Sequence, residues 1–431
     1  MRTATVRARL RELLATSWQA IARRALLAVL GRLRRGQVTV LEGERRLTFG
    51  ARGPRALVRI NSARAWPALL RGSRGLAEAY AGGLWESPDL TSVVRVAARN
   101  ASAFDQLRRR LAPLRIPLQA VRGLRARNTR ARSRRDIASH YDLGSEFFAL
   151  MLDETMMYSC AYFPTRGTSL AEASRCKLEL VCAKLDLQPE DHVLEIGTGW
   201  GGFALHAART RGCRVTTTTI SRAQCEHARA RVRAAGLSDR VTVLCEDYRD
   251  LRGRFAKLVS IEMIEAVGWR DFGTFFERCS ELLREDGGML LQAIVIGDRA
   301  FEVEKASRSF IRTHIFPHGC LPSVEVIARN LARRTDMRTV ALQDLTPHYA
   351  QTLRRWRSNF EAARARLDAL GYDERFRRLW RMYLAYCEAG FAERRIRDVQ
   401  MLLAKPHFGA AAPLREHGQA PRGSSAPSLA G

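Results

Sequence analysis

The stretch VLEIGTGWGGFALHAA, residues 193–208, joins an apolar run, a glycine-rich turn and the start of a helix. Its glycines follow the pattern G-x-G-x-x-G, at Gly197, Gly199 and Gly202. Glycine permits a tight turn and lets the backbone approach a ligand closely. The stretch therefore predicts the first strand, turn and helix of a nucleotide-binding α/β domain.

Around this stretch, apolar segments alternate with amphipathic helical segments. The apolar segments are HVLEIG, RVTTTTIS, VTVLCED, KLVSIEM and GGMLLQAIVI. These segments are followed by a long helical stretch, then by the segment MRTVALQDL, an arginine-rich helical region and the strand VQMLLAK. Strands that alternate with helices indicate a parallel sheet with right-handed crossovers.

The chain divides into five predicted segments. The first part of the chain contains three β-like segments, QVTVLEG, RRLTFG and ALVRIN. They are followed by a run of arginines and then by the glycine turn. The last residues of the sequence are rich in Pro, Gly, Ser and Ala. The predicted segments are a basic amphipathic helix at 1–35, a small α+β domain at 36–106, an arginine-rich linker at 107–135, the α/β domain at 136–406 and a disordered tail at 407–431.

The charge of the chain suggests an anionic partner. Arginine carries almost all of the formal net charge of +28, because lysine occurs only at positions 177, 184, 257, 305 and 405. Such a charge predicts attraction to nucleic acid or to an anionic lipid surface. The N-terminal helix either lies on a bilayer, with Trp18 inward and Arg23 and Arg24 toward headgroups, or packs on its own domain.

The cellular compartment follows from cysteine usage and hydropathy. Nine cysteines, without a C-x-x-C pair or a cluster at metal-ligand spacing, favour a reducing compartment and indicate no metal site. No apolar segment reaches the ~20 residues of a spanning helix. We expect a cytoplasmic protein that is peripheral at the inner membrane surface.

The carboxylates near the glycine turn distinguish two kinds of nucleotide enzyme. A nicotinamide enzyme carries Asp or Glu at the end of the second strand, but this strand continues into Thr219 and Gln224 without a carboxylate. Glu195, at the end of the first strand, is the acidic residue typical of methyltransferases. The sequence therefore favours a methyltransferase over a dehydrogenase.

From about residue 75 to 405 the chain resembles the family of cyclopropane fatty acid synthases and mycolic acid methyltransferases. The motifs are YAGGLWESPDLTSVV, SHYDLGSEFFALMLDETMMYSCAYF, IEMIEAVGWRDFGTFF, FIRTHIFPHGCLPS, LTPHYAQTLRRW and YCEAGFAERRIRDVQ. The resemblance implies a Rossmann-like class I methyltransferase domain with a seven-stranded, mostly parallel sheet, preceded by a smaller α+β N-terminal domain. It also implies an enzyme that uses S-adenosylmethionine to alkylate the double bond of an unsaturated fatty acyl chain, on phospholipid or on a carrier protein.

The resemblance also assigns cofactor-binding residues. Thr219 and Gln224 are expected to hold the ribose or methionine part, and Tyr248 with Arg249 to border the adenine, although a core role suits Tyr248 equally well. The full set is Tyr158, Ser159, Glu195, Gly197, Thr198, Gly199, Gly201, Thr219, Gln224, Tyr248 and Arg249.

The implied chemistry needs a base as well as a cofactor. Attack of an alkene on a sulfonium methyl group leaves a carbocation, which aromatic faces and carboxylates tolerate. Family members hold a bicarbonate as the base at a Cys, a Glu, a His and a Tyr, and the matching positions are Cys160, Glu265, Gln292 and Tyr349. Gln292 departs from the family's His, and an amide donates a hydrogen bond without carrying charge. The expected product is a cyclopropane, and a methylene- or methyl-branched chain is the alternative.

Several alternatives stay open. Cys387 is either a nucleophile, as once assigned in the family, or a buried small residue, and His140 with Tyr141 either caps the cofactor or packs. A nucleic-acid methyltransferase would suit the positive charge of the chain. Base methylases, however, carry an Asp or Asn followed by Pro-Pro and an aromatic residue at the position where this chain has IEMIEAVGW. No nucleic acid is therefore expected as a partner. A lipid-binding protein without activity is disfavoured by the intact glycines, and a homodimer is compatible with the sequence.

Overall fold

The computed structural model describes residues 2–101, 143–317 and 319–409, with side chains from residue 15 onward. The predicted linker at 107–135, His140, Tyr141 and the tail beyond residue 409 lie outside these ranges. None of the helices in the described part of the chain is both long enough and apolar enough to cross a membrane.

The N-terminal part is a long helix followed by a small four-stranded sheet with three helices. Its strands β1 and β3 are parallel, and the sheet order is β2-β1-β3-β4. The elements are α1 (Arg2–Leu30), β1 (Gln37–Glu42), β2 (Arg45–Gly50), β3 (Arg55–Ile60), α2 (Ala65–Leu69), α3 (Ser73–Ala81), β4 (Trp85–Glu86) and α4 (Leu90–Arg99).

The end of α1 packs on this N-terminal domain. Arg23 pairs with Glu42 at 2.7 Å and lies over the ring of Trp66, so this side chain contacts its own domain. Trp18 and Ile21, on the same helix, are exposed. The second half of this helix therefore packs on its own domain through one face, and contact of its exposed face with a bilayer stays a prediction.

The second part of the chain carries a seven-stranded sheet in the order β10-β11-β9-β8-β5-β6-β7. Each predicted apolar segment contributes one strand, and β11 alone runs antiparallel to both of its neighbours. The strands are β5 (His192–Ile196), β6 (Arg214–Thr218), β7 (Val241–Leu244), β8 (Phe255–Ile261), β9 (Leu283–Ile296), β10 (Arg338–Asp344) and β11 (Ile396–Ala404). The predicted α/β fold class is confirmed.

Helices cover both faces of this sheet. They are α5 (Gly144–Ala149), α6 (Leu170–Lys184), α7 (Gly202–Arg211), α8 (Arg222–Ala234), α9 (Ile264–Val267), α10 (Phe272–Leu282), α11 (Phe301–Ala306), α12 (Phe310–His314), α13 (Val324–Arg334), α14 (Thr346–Ala362), α15 (Arg364–Ala369) and α16 (Glu374–Ala392). The long helical stretch predicted after Ile296 is broken into short helices. Ser309 and Ser323 each cap a new helix start, which explains the breaks.

Strand β5 is the point where the strand order reverses, since β6 lies on one side of it and β8 on the other. In open α/β sheets the crevice for a ligand lies at the carboxyl ends of the strands at this point. The glycine turn follows β5 directly, so the fold places it at that crevice.

Candidate active site

The glycine turn opens the crevice. Gly197 has φ +106°, a left-handed backbone conformation that residues with a side chain rarely adopt. A Cβ atom added at Gly202 would lie 2.7 Å from the backbone O of Thr155, so the first turn of α7 requires glycine there. Beside Gly199, in contrast, no described atom lies within 4 Å of an added Cβ, and this space is open to a ligand.

A cavity of about 1010 Å³ begins at this turn. Of the eleven predicted cofactor residues, ten line the cavity, and Gly201 forms the N-cap of α7 behind them. The ten are Tyr158, Ser159, Glu195, Gly197, Thr198, Gly199, Thr219, Gln224, Tyr248 and Arg249. Hydroxyls, an amide and a carboxyl group thus surround open space next to a glycine turn, which fits a nucleoside cofactor.

The polar groups of this crevice are held by local hydrogen bonds. The hydroxyl of Thr217 donates to Glu195 Oε2 at 2.7 Å, and burial raises the pKa of Glu195 to about 8. The hydroxyl of Thr219 donates to Gln224 Oε1 at 2.8 Å. These contacts fix the side chains at the ends of β5 and β6.

Arg249 is fixed by a residue that the sequence reasoning missed. Its guanidinium donates to both carboxylate oxygens of Asp247, at 2.8 and 2.6 Å, and Asp247 is buried and lines the cavity. Tyr248 between them packs edge-on against Phe275 and also lines the cavity, and its contact with adenine stays a prediction. The position of Asp247 after β7 was the available signal.

Beyond the crevice the cavity passes between the two parts of the chain. Its middle is lined by Glu262, Glu265 and an aromatic wall, and its far end by apolar residues of the N-terminal domain. The residues at the far end include Leu30, Val38, Val58, Trp66, Trp85 and Val94. An apolar compartment joined to a polar crevice suits a long hydrocarbon ligand.

Four aromatic residues of the cavity form what we call the aromatic wall: Tyr158, Tyr349, Tyr383 and Phe391. The hydroxyls of Tyr158 and Tyr383 are hydrogen-bonded at 2.7 Å, and Tyr349 stacks on Phe391 with centroids 4.2 Å apart. All four residues line the cavity. Aromatic faces attract positive charge, so this wall can stabilise a cation. Tyr383 and Phe391 were not among the predicted site residues.

Three of the four predicted bicarbonate ligands meet at the carboxylate of Glu262. The backbone N–H of Cys160 and the amide of Gln292 each donate to Glu262 Oε1 at 2.8 Å, and the hydroxyl of Tyr349 donates to Oε2. We call the three donors, Cys160 N–H, the Gln292 amide and the Tyr349 hydroxyl, the three-donor site. Glu262 was missed, although IEMIEAVGW contains two glutamates and Glu262 directly follows β8.

The predicted fourth ligand, Glu265, lies apart from the three-donor site. Its Oε1 accepts from the backbone N–H of Ile294, and no described residue donates to its buried Oε2. This geometry corrects the predicted bicarbonate site, because the donors that were expected to bind bicarbonate are engaged by Glu262. The residues present therefore do not fit a bicarbonate ion.

Further buried polar groups form hydrogen bonds that fix the surroundings of the three-donor site. The amide of Gln292 also donates to Asp398 at 2.9 Å and accepts from Gln400 at 3.0 Å, so its orientation is fixed. Lys177 is buried and donates to Ser159 at 2.9 Å. Burial lowers the pKa of Lys177 to about 8, while the nearby Glu262 and Asp398 favour its charged form. Only the tertiary contacts identify Lys177 and Asp398.

Neither predicted catalytic cysteine is placed as a nucleophile. The thiol of Cys160 donates to Ala161 O at 3.3 Å, and burial holds its pKa well above the ordinary value. Cys387 lines the cavity from α16, and burial raises its pKa to about 12. Because the thiolate is the reactive form, Cys160 serves through its backbone, and Cys387 serves as a small wall residue.

Known proteins resemble this chain over most of its length. The family model of the mycolic acid cyclopropane synthetases matches residues 128–401. A tuberculostearic acid methyltransferase of Mycobacterium tuberculosis is 42% identical over 324 residues, which are 74% of this chain and 75% of the relative. A cyclopropane-fatty-acyl-phospholipid synthase of Escherichia coli is 37% identical over 342 residues, 77% of this chain and 82% of the relative.

Solved structures agree with the sequence comparison. A mycolic acid cyclopropane synthase complexed with SAH and CTAB superposes with a TM-score of 0.59 at 31% identity. The superposition covers 63% of this chain and 98% of that chain.

Proposed function

Because this chain belongs to the mycolic acid cyclopropane synthetase family, we propose that it transfers a methyl group from S-adenosylmethionine to the double bond of an unsaturated fatty acyl chain. The continuous cavity carries this proposal, since it joins the glycine-turn crevice to buried carboxylates, an aromatic wall and an apolar compartment. A dehydrogenase is not supported, because no carboxylate follows β6 at the ribose position.

The residues of the chain divide the work of the reaction. S-adenosylmethionine, when bound at the glycine turn, supplies an electrophilic methyl group. Thr219, Gln224 and Arg249 hold the cofactor, and the apolar compartment takes the hydrocarbon and excludes water. The faces of Tyr158 and Tyr349 stabilise the positive charge that develops on the acyl chain.

The product depends on how that charge is lost. Closure to a cyclopropane and formation of a methylene group each remove one proton from the methylated chain, and the position of the base selects between them. A cyclopropane is the first candidate product. A methylene-branched chain, or the methyl-branched chain that a separate reductant would make from it, is the second, since Gln292 and Glu262 change the base relative to the family's pattern.

We further propose that the acyl chain comes from a phospholipid in an anionic membrane. Arg299, Val303 and Arg308 line the cavity and are also exposed, which marks its opening. Next to the opening Trp269 is exposed, with Arg270 at 4.4 Å and Lys305 at 4.8 Å from its ring. Apolar side chains ringed by cations suit an anionic bilayer surface, which would make the protein peripheral at the inner membrane surface of the cytoplasm.

The test is a reaction of the purified protein with S-adenosylmethionine and vesicles of unsaturated phosphatidylglycerol. We expect acyl chains that are one CH₂ heavier, and NMR of the methyl esters distinguishes cyclopropane from methylene protons. Cofactor binding without any alkylated lipid, free fatty acid or carrier-bound chain would contradict the proposed function.

A further inference from the structure

Glu262 has an unusual backbone for a residue with a side chain. Its φ is +49°, in the left-handed region that favours glycine. Its own N–H donates to Gln292 O at 2.8 Å, which continues the pairing of β8 with β9. Such conformations persist where the surroundings enforce them, and they cluster at functional sites.

The side chain that this backbone presents is a fully hydrogen-bonded carboxylate. Oε1 accepts from Cys160 and Gln292, and Oε2 accepts from Tyr349. Oxyanions are stabilised by fixed donors of this kind. The same carboxylate lines the cavity, so it is held rigidly without being sealed from a bound substrate.

The two carboxylates that line the middle of the cavity differ in their partners. Burial raises the pKa of Glu265 to about 8, and two backbone groups, its own and that of Ile294, oppose this. Burial raises the pKa of Glu262 as well, but Tyr349, Cys160, Lys177 and Gln292 all favour its ionised form. Glu262 therefore has more groups that favour its ionised form than Glu265 has, and the two carboxyl groups are differentiated by their hydrogen-bond partners.

We propose that Glu262 is the proton acceptor of the reaction, a carboxylate of the chain that occupies the place of an external base. The proposal rests on the proposed function. Methyl transfer breaks the bond between sulfur and carbon and moves the positive charge to the acyl chain. For a cyclopropane, a C–H bond of the transferred methyl group then breaks, and its electron pair forms the C–C bond to the cationic carbon. For a methylene group, a hydride first shifts from the methyl-bearing carbon to the cationic carbon, and the electron pair of a methyl C–H bond then forms the C=C bond. The proton passes to Glu262 Oε2, and the neutral acid returns it to water when the product leaves.

The first experiment compares Glu262→Gln with the matched variant Glu265→Gln. Both changes keep the side-chain size and remove the basicity. We expect Glu262→Gln to bind S-adenosylmethionine with the wild-type Kd, by calorimetry, and to lower turnover by about two orders of magnitude or more. Glu265→Gln is expected to lose less. A greater loss in Glu265→Gln, or unchanged turnover in Glu262→Gln, overturns the proposal.

The second experiment replaces the missing carboxylate. Glycine adopts φ +49° without strain, so Glu262→Gly is expected to fold. The variant should leave a space of carboxylate size next to the three-donor site. Added bicarbonate should restore its turnover by about tenfold or more, and ¹³C NMR should detect bicarbonate bound to Glu262→Gly but not to the wild type. Turnover of the wild type should be unaffected when dissolved carbon dioxide is removed.

Separate outcomes contradict the inference and the proposed function. Wild-type turnover that falls without bicarbonate, or wild-type binding of ¹³C-bicarbonate, overturns the role of Glu262 while leaving alkylation intact. A wild-type protein that alkylates no lipid contradicts the proposed function, and the ¹³C binding comparison still decides whether Glu262 occupies the anion position. Thermal unfolding of each variant identifies any loss that comes from misfolding.

Discussion

Glu265 is a carboxyl group that the fold holds in its neutral form. Its buried Oε2 has no donor among the described residues, and burial raises its pKa from 4.5 to about 8. A group with a raised pKa contributes stability that is fully present below the unfolded pKa and is lost as the pH rises through the folded pKa. The unfolding free energy should therefore fall between pH 4.5 and about 8 because of this residue.

We predict that Glu265→Gln removes this dependence. Glutamine does not ionise, so the variant should gain stability relative to the wild type as the pH rises, by up to about 4 kcal/mol near pH 8. Urea unfolding of both proteins at about pH 5 and about pH 8 measures the difference. The exposed Glu285→Gln gives the baseline for a general Glu-to-Gln effect. A difference between wild type and Glu265→Gln that stays constant with pH would contradict the assignment.

At the scale of elements, the short helix α11 forms one side of the cavity opening. Val303 on this helix lines the cavity although 47% of it is exposed. The preceding Arg299 and the following Arg308 are exposed as well. The membrane contact that we propose for this element would account for an apolar residue that remains uncovered at the opening.

We predict that Val303→Asp weakens binding to vesicles of phosphatidylglycerol by roughly fivefold, since it adds a negative charge near an anionic surface. Sedimentation with the vesicles measures the bound fraction. Val340→Asp is the matched control, because Val340 is 48% exposed but lies on edge strand β10, away from the cavity lining. Equal losses in the two variants, or none in Val303→Asp, would argue against docking through α11.

At the scale of the whole molecule, the N-terminal domain and the methyltransferase domain share one cavity. Helix α4 belongs to the first and supplies Val93 and Val94 to the cavity wall. Its Arg95 and Arg99 donate to Glu393, just after α16, at 2.7 and 2.6 Å. The apolar compartment that is proposed to hold the acyl chain, here called the acyl compartment, therefore depends on the contacts between α4 and the end of α16.

We predict that Glu393→Ala destabilises the protein by roughly 1–2 kcal/mol, because it removes two partly buried ion pairs between the domains. The KM for vesicle substrate should rise, while the Kd for S-adenosylmethionine should not change. Glu361→Ala is the control, since Glu361 pairs more loosely, at 3.5 and 3.8 Å, within the methyltransferase domain. Unchanged KM and stability in Glu393→Ala would mean that this junction does not support the acyl compartment.

The sequence by itself determined the α/β fold, the glycine turn and the cofactor crevice. These features depend on local chain properties: the period of apolar residues selects strand or helix, and glycines permit the turn at Gly197. The glycine turn, Thr219, Gln224, Tyr248 and Arg249 line one cavity because they follow the ends of neighbouring strands, and parallel strands bring those ends together. Tyr158 and Ser159 reach the same cavity from the segment between α5 and α6. Thr219 without a following carboxylate was likewise readable from spacing alone.

Only the tertiary structure decided which glutamate accepts hydrogen bonds from Cys160, Gln292 and Tyr349. Cys160 and Tyr349 reach Glu262 from 102 and 87 residues away, distances along the chain that no local pattern encodes. The left-handed backbone of Glu262 brings its carboxylate to those donors, while Glu265, on the following helix, contacts Ile294 instead. The electrostatic character of each carboxyl group is set by burial and by its donors, and both arise only when distant segments pack together.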